Sequence, residues 1–192
     1  MEEQKLDSRK QYSRMIIQKS LIDMMQTMPI NTISVTALCR KAGINRGTFY
    51  LQYADPYDVF RQLEEDFFHE IEYVLESTCV TDADHGFLVT LLVFLVQNKE
   101  TCKVILNTDE GYTFLQRIMK LAHDKSIEAY KITAPKTTQE KVENTFTFIA
   151  DGIIGVIQRW VENGMKQSPE ELADFLTKLN VQCIRQLQSE TA

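Results

Sequence analysis

The chain has 192 residues, 44% of them hydrophobic and 25% charged, with a formal net charge of −6. That much apolar material excludes wholesale disorder, and the length suits one large domain or a small one joined to a medium one. The longest apolar run, Leu91 to Val96, is too short to cross a bilayer, so no membrane partner is expected.

Apolar residues recur at helical spacing nearly throughout, and no Asn-Gly or Asp-Gly hairpin signal occurs, so the chain is predicted to be all-α. Ser8 and Gln11 form an S-x-x-Q capping box that predicts a first helix from Ser8 to about Met28. Ile16, Ile17, Leu21 and Met24 would face inward, and Pro29 would end it. Ser34 is the N-cap of a second helix, in which Val35, Leu38, Cys39 and Ala42 make one buried stripe. Gly43 suits the left-handed residue that closes such a helix, and Asn45 caps a third helix after a turn of Gly43 and Ile44. Asp55, Pro56 and Asp58 supply the cap, first-turn proline and first-turn acid of a fourth helix, striped by Val59, Phe60, Leu63, Phe67, Ile71 and Val74. Further helices are predicted at about 84–97, 99–107 and 111–131, the first apolar nearly all round and therefore central. Pro135 interrupts before a long helix from about Thr138 to Asn163, closed by Gly164. Ser168-Pro169-Glu170-Glu171 opens the last helix.

The charge is unevenly spread. Residues 1–53 carry eight Lys/Arg against four acids, a net +4, and the remainder carries −10. A basic head on an acidic body fits that asymmetry, as does chance variation along a soluble surface. On the third helix Phe49 and Tyr53 point the same way as Ile44, toward the first two helices. Gly47, Tyr50 and Leu51 take the opposite face, flanked by Arg46, Thr48 and Gln52. A helix, a short glycine-containing turn and a second helix with a polar outward face form the helix-turn-helix unit, whose second helix enters the DNA major groove. A plain helical hairpin is the alternative.

Residues from about 9 to 67 resemble the TetR family of transcription regulators, the match centring on ISVTALCRKAGINRGTFYLQYADPYDVF. The Ser-Val opening of the second helix, the Ala-Gly-Ile-Asn turn, the Arg-Gly-Thr-Phe-Tyr of the third and the trailing Asp-Val-Phe follow the family pattern in order. The resemblance implies an Ω-shaped homodimer with a DNA-binding head over residues 8–54 and a helical regulatory and dimerisation body over 55–187. It also implies that Thr36, Asn45, Arg46, Gly47, Thr48, Tyr50 and Gln52 face double-stranded operator DNA. Leu51 would meet a thymine methyl in the groove. Three positions depart from the pattern: Gln52 and Tyr53 replace the usual His then Phe, Leu51 is apolar, and Pro56 stands where many members place a lysine toward phosphate. Losing that cation should flatten the salt dependence of binding. The C-terminal stretch FIADGIIGVIQRWVENGMKQSPEELADFL resembles the subgroup that includes activators of dihydroxyacetone-kinase operons.

The remaining signals are single residues. Cys39, Cys79, Cys102 and Cys183 lie far apart with no CxxC pair, and with no signal-peptide pattern they read as reduced thiols of a cytoplasmic protein. His69, His85 and His123 are scattered, so no metal is expected, and no cofactor motif stands out. Asp151 sits inside the apolar run Phe146 to Ile157, either addressing a ligand or meeting water or a neighbouring helix. An effector pocket is placed around Phe94, Tyr112, Phe146 and Ile149, with Arg117 or His123 as polar anchors. Phe148, Gly152, Gly155 and Arg159 on the long helix, with Leu172, Phe175, Leu176, Leu179, Cys183 and Leu187 on the last, outline a homodimer seam. No serine-histidine-acid order or paired-carboxylate motif is present, so a helical enzyme has no support. The leading expectation is a ligand-responsive repressor. The alternative is an activator or co-regulator whose body binds a partner sensor protein instead of a small molecule.

Overall fold

Short-range end signals account for several of the helix boundaries in the computed structural model, which describes residues 2–77, 83–108 and 111–189. The described residues are helical, with no strand among them. The helices are α1 (Glu2–Met25), α2 (Val35–Ala42), α3 (Arg46–Tyr50), α4 (Pro56–Ser77), α5 (Ala83–Gln97), α6 (Lys99–Leu106), α7 (Gly111–Thr133), α8 (Gln139–Glu162) and α9 (Pro169–Ser189). A single 3-10 turn, Ile30–Thr32, lies between α1 and α2.

Ser34 Oγ accepts from the Ala37 amide at 3.2 Å, and Asn45 Oδ1 from the Thr48 amide at 2.7 Å, which start α2 and α3. Gly43 closes α2 in the left-handed conformation, φ 68°, a region that costs a side-chain-bearing residue strain. The Asp58 amide donates to Asp55 Oδ1 at 2.8 Å to start α4. At α9 the capping box is reciprocal: the Glu171 amide donates to Ser168 Oγ and the Ser168 amide to Glu171 Oε2, both at 3.2 Å.

Two boundaries differ from the sequence reading. α1 starts at Glu2, not Ser8, because Glu2 to Asp7 contain no breaker and their early acids suit a helix start. It ends at Met25, where the Met24 carbonyl accepts from the amides of both Thr27 and Met28 and tightens the last turn.

The chain divides into two compact units, Met1–Phe68 and His69–Ala192, with α4 running through the division. In the first unit Ile17 and Leu21 of α1, Leu38 of α2, Phe49 of α3 and Val59 of α4 are fully buried. In the second, α5 packs against α6, α7 and α9, and its Leu88, Leu91, Leu92 and Leu95 are buried, in line with a central helix. α7 packs on α8, and α8 on α9. Cys39, Cys102 and Cys183 are free thiols, and burial pushes Cys102 up to about 12, which leaves it protonated and inert. Cys79 lies outside the described residues.

Candidate nucleic-acid interface and body cavity

Phe49 fixes the orientation of α3. Its side chain is 0% exposed, meets the Tyr50 ring edge-on at 5.5 Å and lies 5.9 Å from Tyr53. With Phe49 inside, helical geometry turns Arg46, Gly47 and Tyr50 outward, and Leu51 follows at the helix end, 82% exposed. The Arg46 Nη2 donates to the Tyr50 hydroxyl at 3.3 Å, and the guanidinium carbon stands 5.8 Å from that ring's centroid. The two side chains therefore form one polar unit on the surface, a cation held against an aromatic face. Thr36 on α2 and Asn45 are exposed as well, and Thr48 is half-buried.

Two of the sequence-derived residues have structural duties besides. A Cβ at Gly47 would come within 3.2 Å of Asn45 Oδ1, the atom that caps α3, so the glycine leaves the cap room. Gln52 Nε2 donates to Ser13 Oγ at 2.6 Å and ties the end of α3 to α1. Periodicity did not reveal that bond, because its partners lie 39 residues apart. Beside it lies a polar recess of about 360 Å³ lined by Lys10, Gln11, Arg14, Leu51, Gln52, Tyr53 and Gln62. Arg14 Nη2 there donates to both carboxylate oxygens of Asp66, at 2.7 and 2.6 Å, whereas the buried Tyr53 hydroxyl has no partner among the described residues.

The second unit holds a cavity of about 410 Å³, within the range of small-molecule sites. Phe146 and Ile149, both singled out from the sequence, line it, with Phe87, Leu88, Met119 and Tyr130 among the other walls. The Tyr130 hydroxyl donates to Asn180 Oδ1 at 3.3 Å within this lining, a pair 50 residues apart in the chain. His123 is not a lining residue but stacks edge-on to Phe146 at 4.8 Å. Its Nδ1 lies 2.8 Å from Asp124 and its Nε2 3.0 Å from Glu143, and these two bonds, Asp124 first, raise its pKa.

Phe94, Tyr112 and Arg117 are not among the lining residues: Phe94 is buried in α5 and Arg117 is half-buried on α7. The Tyr112 hydroxyl donates to Asp151 Oδ1 at 2.9 Å, and both side chains are exposed. Asp151 is therefore a surface carboxylate with a partner, not one enclosed in an apolar run. Among the described residues no group of three His, Cys, Asp or Glu is placed to hold a metal, and no helix is long and apolar enough to cross a membrane.

Residues 82–182 match the TetR-type family model for the transcriptional regulator C-terminal region. The chain belongs to the TetR family of transcriptional regulators. Solved structures agree on the fold of this TetR-family regulator. A dihydroxyacetone kinase operon activator, DhaS, is 21% identical, with 90% of this chain and 96% of that one covered and a TM-score of 0.66. A TetR transcriptional regulator from Streptococcus agalactiae is 23% identical over 91% and 96% of the two chains, TM-score 0.64. A TetR-like regulator from Rhodococcus sp. is 18% identical over 88% and 93%, TM-score 0.62. No curated protein matches significantly. TetR-family proteins are DNA-binding regulators of transcription and not enzymes.

Proposed function

We propose that this TetR-family chain is a cytoplasmic, ligand-responsive repressor that binds operator DNA as a homodimer through α3. The observation that carries the reading is the outward face of α3: Arg46, Tyr50 and Leu51 are exposed behind a fully buried Phe49. Thr36, Asn45, Gly47, Thr48 and Gln52 complete the proposed contact surface. Leu51 supplies apolar contact with a thymine methyl, and Arg46 a cation for a guanine edge or a phosphate. Response to a ligand is supported by the cavity of the second unit. α4 belongs to both units, so a ligand that prefers one setting of α4 alters the spacing of the two heads, and with it operator affinity.

A second reading, an activator or co-regulator whose body binds a sensor protein, draws on Tyr73 of α4 and Ile132 of α7. These are large exposed side chains outside the α8–α9 pair proposed for the dimer.

The test is selection of bound sequences from a random DNA pool, followed by operator affinity with and without candidate metabolites. Recovery of a two-fold operator released by a metabolite supports the repressor. No selected sequence overturns the DNA reading. An operator indifferent to metabolites but responsive to a partner protein supports the second reading.

A further inference from the structure

We propose that the body cavity takes a small organic ammonium ion bearing an apolar or aromatic group. This rests on the reading of the second unit as an effector-binding body and names the chemical class of the effector. Among the described residues the acidic side chains in the lining are Glu72 and Glu76, one turn apart on α4, and no described Lys, Arg or His joins them. Most of the rest of the described wall is aliphatic or aromatic, with Ser126 and Asn180 as neutral polar groups, and its rings, Phe87, Tyr130 and Phe146, come from α5, α7 and α8.

Each feature selects in the same direction. Ring faces carry negative charge density and attract an ammonium group. Two carboxylates attract it over a longer range and repel an anion, which would find no cation among the described lining residues. Both acids keep contact with water: Glu76 is exposed, and Glu72 is half-buried, with its Oε2 3.1 Å from His69 Nδ1. An ammonium held between them therefore avoids the full desolvation cost of a buried ion pair. Its apolar group would occupy the remaining volume against Leu88, Met119 and Ile149. The acidic balance of the chain beyond the basic head, −10 against +4, raises the local concentration of cations in addition. A metal cation is the poorer fit, since among the described residues the two carboxylates belong to no set of three ligating His, Cys, Asp or Glu side chains.

The experiment titrates the full chain by calorimetry, in low salt at neutral pH, with three probes of one size: phenethylammonium, phenethyl alcohol and phenylacetate. Expected is the order ammonium, alcohol, carboxylate, with the ammonium roughly tenfold tighter than the alcohol. Replacing both acids, Glu72→Gln with Glu76→Gln, should bring the ammonium down to the alcohol's affinity and leave the alcohol unchanged. Both positions reach solvent, so these variants should fold, and circular dichroism verifies that they do. Ile149→Trp, which fills the cavity, should abolish binding of every probe.

The proposal is overturned if the alcohol or carboxylate binds as tightly as the ammonium. It is overturned equally if the ammonium's advantage survives in the double variant, or if none of the three binds. If a neutral or anionic probe binds best and changes operator affinity, the cation class falls and the effector reading stands. If the ammonium binds through the two glutamates without changing operator affinity, the cation class stands and the effector reading falls.

Discussion

On α3, Phe49 is closed to solvent while Arg46 lies on the surface against Tyr50. Their substitutions should therefore separate folding from binding. Phe49→Ala removes a buried aromatic at a cost of about 3–5 kcal/mol and should unfold the head. Arg46→Ala should melt with the wild type while operator affinity falls and the salt slope shrinks by about one. Fluorescence anisotropy across a salt series measures both, and unchanged affinity for every DNA would show the outward face to be misassigned. Tyr53 is a different case. It is 2% exposed, its hydroxyl has no partner among the described residues, and burial pushes its pKa up to about 12. An unsatisfied buried polar group costs about 1–3 kcal/mol. Tyr53→Phe keeps the ring and drops that group, so urea unfolding should show a gain of about 1 kcal/mol. A loss of that size would mean that water in the adjoining recess completes the hydroxyl's bonding.

At the scale of elements, the caps were legible because each is settled within four residues. Ser34, Asn45, Asp55 and Ser168 were read as caps and accept the expected backbone amide, as does Thr138, read only as the start of its helix; the Ser8 capping box alone did not mark a helix start. What the sequence withheld is pairing across distance. The Gln52–Ser13 tether, the Tyr130–Asn180 pair and the Tyr112–Asp151 bond join residues that only the packing of helices brings together. For the same reason Phe146 and Ile149 were found for the cavity while its two acids were missed: apolar periodicity identifies an inward face but not what opposite helices bring to it. The His123–Glu143 brace between α7 and α8 is another such contact, and it has a pH signature. Asp124 and Glu143 raise the His123 pKa above 6.5, and His123 in turn lowers that of Glu143, which also accepts from Gln139 and feels Lys131. The histidine's contribution to stability is complete below 6.5 and is lost as pH rises through its raised folded value. The glutamate's is present above 4.5 and is lost as pH falls through its lowered value. The brace should therefore be strongest between 4.5 and 6.5, and the melting temperature of the body should decline as pH rises past that window. His123→Gln should flatten the decline, and NMR titration should place the ring's pKa above 6.5. A value at or below 6.5 would remove the brace from the account.

For the whole molecule, the proposed dimer depends on apolar surface that one chain leaves uncovered. Phe148 of α8 is 71% exposed, and Gly152 and Gly155, farther along the same stripe, have no atom within 4 Å of where a Cβ would stand. On α9, Phe175 and Leu179 are four residues apart and half exposed, while Leu172, Leu176 and Leu187 turn into the body. The last helix thus has two apolar faces, one buried in the body and the other half covered by the described residues. Two such helices from each subunit would form a four-helix interface, the glycines permitting close approach. Phe148→Glu combined with Phe175→Glu places charge in that seam and removes little from the isolated chain, since Phe148 is mostly and Phe175 half exposed. Sedimentation at micromolar concentration should give a dimer for the wild type and a monomer for the double variant, with matching circular dichroism. A two-fold regulator reads half-sites about 34–36 Å apart, and the second head adds to affinity only while it is joined to the first. Operator affinity should therefore collapse in the double variant although every α3 residue is intact. A wild-type chain that sediments as a monomer, or a double variant that remains dimeric and binds operator normally, would show that α8 and α9 do not form the seam.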